Sequence, residues 1–207
     1  YHPPRIRQVK AAGASHKDSL SREEVRSLIE AAQSIELNGQ SIAPLLLFLV
    51  LTGMRRMEAV TAEWSWIDET FIRVPAPRTK TNQKRLVPIS KDLAKLLASL
   101  PRTSSGQLFP AMTIEITRKF QDACKAAGIT RPLKLHNLRD TFIVNAIMSG
   151  IPVLLVARIV GNSPSVIDKH YAPLAEDEMK SALKKLDATG FATNLLPAVS
   201  RETITIS

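Results

Sequence analysis

Residues 41–51 (SIAPLLLFLVL) constrain this chain more than any other stretch. The run is apolar almost all the way round, so a helix made from it has no face to offer water and has to sit at the centre of a fold. It is far shorter than the roughly 20 apolar residues that span a bilayer, and it contains Pro44. The rest of the chain must therefore be arranged around one buried helix. Thr52-Gly53 ends that helix.

The flanking patterns say what surrounds it. Ser21 and Glu24 have capping-box spacing, and Leu20, Val25, Leu28 and Ile29 supply an apolar face, which predicts a helix over 22–33. Asn38-Gly39 breaks the chain, and a short amphipathic helix is expected over 56–62. The character changes between 66 and 89. FIRVP, a polar turn and then KRLVPIS read as a small antiparallel sheet, with TKTNQK (79–84) as its polar tip. Helical spacing returns over 91–99, 114–127, 137–149, 152–160 and 176–185. The expected fold class is mainly α with a small antiparallel β-sheet (α+β). Residues 1–18 read as a basic linker or arm, 19–187 as one domain, and 188–207 as a tail that holds the apolar LLPAV and ends in the alternating ETITIS.

Lys and Arg number 28 against 19 Asp and Glu, a net charge of +9, which points to a polyanionic partner, nucleic acid being the usual one. Aromatics make up only 5% of the chain, so Leu, Ile, Val and Ala fill the core. The single cysteine, Cys124, rules out an internal disulfide and fits a reducing compartment. The N-terminal YHPPRIRQVK has no apolar signal core, so a cytoplasmic protein is expected, with no membrane partner.

Four segments carry residues suited to chemistry. In LTGMRRMEAV, Arg55 opens a helix and Glu58 follows three residues on; in isolation this is an ordinary ion pair, but a guanidinium there is also placed to bind an oxyanion. Lys80 lies near the hairpin tip, where a lysine is normally a solvated charge. In KLHNLRDTF, His136 and Arg139 share one helix face, able to hold a phosphate and move a proton, or simply to cap a helix. In VGNSPSVIDKHYAPL, Asn162 follows an apolar helix and Tyr171 comes nine residues later; Tyr1 is the only other tyrosine. A lone tyrosine is more often half-buried and structural.

The order of these blocks is more telling than any one of them. TGMRRMEA, TK, HNLR, then VGN leading into KHY, resembles the tyrosine recombinase (phage integrase) family over about residues 19–185. The resemblance implies that family's catalytic-domain fold over 19–187, makes the 188–207 tail a candidate for inter-subunit contact, and carries over by position. Arg55 and Arg139 match the phosphate-binding arginines, Lys80 the hairpin lysine, His136 the first residue of the H-x-x-R block, Tyr171 the nucleophile, and Glu58 the acidic support of the first arginine. Asn162 stands where the family has histidine or tryptophan, and Asp140 where a second histidine is common.

The implied reaction is phosphoryl transfer on double-stranded DNA through a 3′-phosphotyrosyl link. It needs neither ATP, cofactor nor metal, because arginines and a lysine carry the charge a metal carries elsewhere. Integration or excision of a mobile element is the role this implies. A type IB topoisomerase-like relaxation, or a non-catalytic DNA-binding relative, is the alternative. The partners implied are DNA, further copies of the chain (a tetramer on DNA, a monomer alone) and accessory DNA-bending or directionality proteins. Asn162 can donate a hydrogen bond but carries no proton or positive charge at neutral pH. It should therefore give a slower enzyme than histidine would, by less than the roughly 10²–10³ lost with a whole oxyanion donor. Asn162→His should raise the single-turnover cleavage rate; an unchanged rate would mean that asparagine is adapted to its place.

Overall fold

A computed structural model describes residues 19–76, 84–112 and 115–167. The expectations for 1–18, for a helix over 176–185 and for the tail fall outside the described residues, as do Lys80 and Tyr171.

The chain enters through Leu20, whose backbone N–H donates to Thr141 Oγ1 at 2.9 Å. Helix α1 (Arg22–Ala32) starts with the expected capping box: Ser21 Oγ accepts from Glu24 N, and the Glu24 carboxylate accepts from Ser21 N. Two short strands follow, β1 (Glu36–Leu37) and β2 (Gln40–Ser41), paired antiparallel around Asn38-Gly39. Both turn residues have positive φ, 52° and 76°, the geometry of a two-residue hairpin turn for which Asn-Gly is suited. The sequence reading had treated this dipeptide only as a break.

Helix α2 (Ala43–Thr52) is the predicted central helix. It packs against α1, α4 (Lys91–Ser99), the short α3 (Arg56–Val60) and α6 (Asn137–Met148). Leu45, Leu46 and Phe48 are fully buried, and the Phe48 ring meets Phe109 edge-on at 5.2 Å. Helix α5 (Ile116–Ala126) lies against α1 and buries Ile116, Phe120, Ala123 and Cys124.

The small sheet is one antiparallel pair, β3 (Phe71–Val74) and β4 (Arg85–Pro88), with Ile72 opposite Val87 and Val74 opposite Arg85. A 3-10 turn at Trp64–Trp66 leads into it. Helix α7 (Val153–Val160) packs on β4 and on α6. Between α6 and α7 lies a second, smaller core of Ile143, Ala146, Ile147, Val156, Ala157, Val160 and Ile167. Phe142 packs against both cores. No described helix is long and apolar enough to cross a membrane.

Two helices end in left-handed glycines that face this junction. Gly53 closes α2 at φ 60° and Gly161 closes α7 at φ 72°. A Cβ on Gly53 would lie 2.5 Å from the Phe142 ring and 3.1 Å from Val160, so glycine is needed here for space as well as for φ. Phe48→Ala should empty the centre of the larger core and cost about 3–5 kcal/mol, read as a lower urea midpoint at unchanged slope.

Candidate active site at the ends of two helices

Arg55 is the N-cap residue of α3, two positions after the glycine that ends α2. Its extended backbone (φ −71°, ψ 150°) turns the chain into α3, and Glu58 closes that first turn by accepting from Arg55 N at 2.9 Å. The other Glu58 oxygen accepts from Arg55 Nη1 at 3.2 Å. Arg55 Nη2 reaches across to the end of α7, donating to Gly161 O at 2.7 Å and to Asn162 Oδ1 at 3.1 Å.

Arg139 approaches the same point from α6. Its side chain is buried, with Nη1 donating to Gly53 O at 2.6 Å and Nη2 to Asn162 Oδ1 at 2.9 Å. Two guanidiniums from separate parts of the chain therefore converge on a single oxygen. Each is also held by the carbonyl of a helix-terminal glycine, at the end of the helix dipole that favours cations. From the sequence, Asn162 is expected to donate a hydrogen bond. Here its amide oxygen faces the arginines, because guanidiniums offer only donors; the Nδ2 group is left for another acceptor.

His136 precedes α6 and lines a depression of about 480 Å3 together with Arg55 and Arg139. The imidazole side chain is 63% exposed, with Nε2 4.0 Å from Asp140 Oδ1. Its partial burial lowers its pKa from the usual 6.5; Asp140 pulls it back up, and Arg139 and Arg55 push it down. The shift favours the neutral ring, the form able to accept a proton. Burial, followed by the Arg55 and Arg85 charges, brings the Arg139 guanidinium down to about 9, which still leaves it charged at neutral pH. An anion among these groups would relieve their mutual repulsion.

Arg85 is not among the residues expected from the sequence. It is the first residue of β4 and is buried, pointing inward where strand alternation calls for an aliphatic side chain, while Leu86 next to it is exposed. Its Nη1 donates to Ile159 O at 2.9 Å and to Val160 O at 2.5 Å, and its Nη2 pairs with Glu58 Oε2. The available signal was the inverted alternation in KRLVP, which puts a charge on the face occupied by Ile72, Val74 and Val87. A Cβ on Gly161 would meet Arg85 Cδ at 3.0 Å, tighter than an ordinary contact, so glycine here gives Arg85 room at the end of α7.

Among the expected site residues, Arg55, Glu58, Arg139 and Asn162 form one hydrogen-bonded cluster, with His136 beside it. Cys124 is no rival nucleophile: it is buried, and burial pushes its thiol up to about 11. Among the described residues, no group of three or more His, Cys, Asp or Glu side chains could hold a metal ion.

The chain is similar to known proteins over most of its length. The profile of the phage integrase family matches residues 18–178. The integrase of Escherichia phage P2 is 31% identical over 157 residues, covering 74% of this chain and 43% of that protein. The chain spans about half or less of the length of the first relatives it matches. Among solved structures, the catalytic domain of bacteriophage HP1 integrase aligns with a TM-score of 0.64 at 27% identity, covering 80% of this chain and 93% of that one. A lambda integrase tetramer bound to a Holliday junction aligns with a TM-score of 0.60 at 19% identity, over 72% of this chain and 47% of that one, a likeness of fold.

The His136 Cε1–H resonance, followed by NMR, should titrate with its midpoint below 6.5. Asp140→Asn removes the charge that favours the protonated ring and should move the midpoint lower still; a midpoint that rises in this variant would contradict the assignment.

Proposed function

The chain belongs to the phage integrase family, and on that premise we propose that it is the catalytic part of a site-specific DNA recombinase, cleaving and rejoining strands through a 3′-phosphotyrosyl intermediate. One observation carries this reading: Arg55 Nη2 and Arg139 Nη2 are aimed at one acceptor, 3.1 and 2.9 Å away. A non-bridging oxygen of a phosphodiester is an acceptor of that kind. A planar, permanently charged fork suits it better than an ammonium.

In the proposed step the Tyr171 hydroxyl oxygen bonds to the scissile phosphorus and the bond from phosphorus to the 5′ oxygen breaks. A phenol is mostly neutral at pH 7, so its proton has to go to a base, and neutral His136 takes that part. The departing 5′ oxygen takes a proton from Lys80 and leaves as a hydroxyl. Arg55 and Arg139 meet the charge that builds on the non-bridging oxygens, and Asn162 Nδ2 donates to the same group. A 5′ hydroxyl from a partner strand then reverses the step: it bonds to phosphorus, releases the tyrosine and restores the diester. The phosphorus–oxygen linkage is conserved throughout, which is why no nucleotide cofactor is needed.

Integration or excision of a mobile element is the role this chemistry would serve, since the relatives it matches include integrases of phages. Duplex DNA and further copies of the chain are its proposed partners, with accessory DNA-bending or directionality proteins as further ones. The nucleoid would be its place of work. Residues 1–18 would link to a preceding DNA-clamping domain, and residues after 188 would reach a neighbouring subunit.

A nicked suicide substrate built on candidate attachment-site DNA tests the reading. The chain should form a covalent protein–DNA adduct that withstands denaturation, and Tyr171→Phe should form none. Arg55→Ala or Arg139→Ala should slow adduct formation on the order of 10²–10³-fold. An adduct that survives Tyr171→Phe would place the nucleophile elsewhere, and DNA binding with no adduct on any site would make the protein a binder instead of an enzyme.

A further inference from the structure

Arg85 has no part in the mechanism above, yet its guanidinium is buried beside the groups that do. Its Nη2 takes Glu58 Oε2, and its Nη1 holds the last carbonyls of α7, Ile159 O and Val160 O. Glu58 is 2% exposed, so its charge must be answered by protein groups. Those groups are Arg55 and Arg85. With Arg55 alone, the pair would sum to zero charge, and the carboxylate would be free to take both terminal nitrogens of Arg55 in the bidentate geometry that arginine and carboxylate favour. With Arg85 in place, the Arg55 side chain meets Glu58 through Nη1 only, beside the capping bond from its backbone N–H, and Nη2 faces Gly161 and Asn162.

We propose that Arg85 is a positioning residue for phosphate binding: by occupying one side of Glu58 it leaves Arg55 a net positive charge and a free edge, and by gripping the end of α7 it keeps Asn162 in line with Arg55 and Arg139. It touches no substrate. The inference rests on the recombinase reading for its purpose, while its physical content concerns anion binding at Arg55. Gly161 fits the same logic, since a side chain there would crowd Arg85.

A purely structural ion pair and a positioning residue differ in what repairs their loss. The test compares the intact chain with Arg85→Met, Glu58→Gln, the double variant, and Arg85→Lys. Inorganic phosphate is the probe, followed by the Arg55 side-chain Nε–H resonance, with Arg55→Ala as the control for the site. Arg85→Met should weaken phosphate binding about tenfold, the order expected for losing one charge-assisted contact. Adding Glu58→Gln should restore most of it, because a neutral amide no longer draws Arg55 away. Arg85→Lys keeps the charge without the fork and should fall between. Unchanged phosphate affinity in Arg85→Met overturns the proposal. So does a loss that Glu58→Gln does not repair, which marks Arg85 as structural only. Should Arg85→Met fail to fold, Arg85→Lys with and without Glu58→Gln decides on the same criterion. Failure of the recombinase reading is separately visible: the unsubstituted chain would bind phosphate normally and yet form no Tyr171 adduct on DNA.

Discussion

Three guanidiniums cannot lie side by side in a protein interior unless acceptors are fixed around each of them, and that requirement organises this molecule. The acceptors are a buried carboxylate, the carbonyls at the ends of α2 and α7, and one side-chain amide. Helix C-termini suit the task because their last carbonyls have no partner within the helix and lie at the negative end of its dipole. Both helices stop at left-handed glycines, which turn the chain sharply and leave no side chain in the way. The site is therefore a product of where two helices end.

Those ends are placed by two different cores. α2 is anchored in the larger one through Leu45, Leu46 and Phe48, and α7 in the smaller one through Val156, Ala157 and Val160. Gly53 touches the seam, with Phe142 and Val160 immediately beyond it. The placement of Asn162 against Arg55 and Arg139 is consequently set by how the smaller core seats on the larger, and Arg85 adds a tie from the sheet across that seam.

Much of this was legible in the sequence, and the parts that were share a cause. The capping box at Ser21, the all-apolar α2 and its glycine stop are local patterns whose physics does not depend on distant residues. The β3–β4 pair followed from alternation, and the boundaries of α4 came out as expected. Arg55, Glu58, Arg139 and Asn162 were each weak signals alone; their order along the chain gave them meaning, and the fold brings them into one hydrogen-bonded cluster. Two features escaped. The β1–β2 hairpin has strands too short for alternation to register, although its Asn-Gly turn was in view. Arg85 escaped because a charge in a strand reads as a solvated edge; only the exposed Leu86 beside it shows that the faces are reversed, and its partners lie 27, 74 and 75 residues away.

The amide oxygen of Asn162 gives the resting site an occupant. Arg55 and Arg139 already share an oxygen before any phosphate arrives. In the proposed reaction, arrival of a phosphodiester is an exchange of acceptors instead of the filling of a gap, and the gain comes only from the difference between a neutral oxygen and a charged one. A neutral phosphoester analogue, similar in shape but lacking the charge, would have little with which to displace the amide. On that reading the site is a charge filter, tuned by the amide of Asn162.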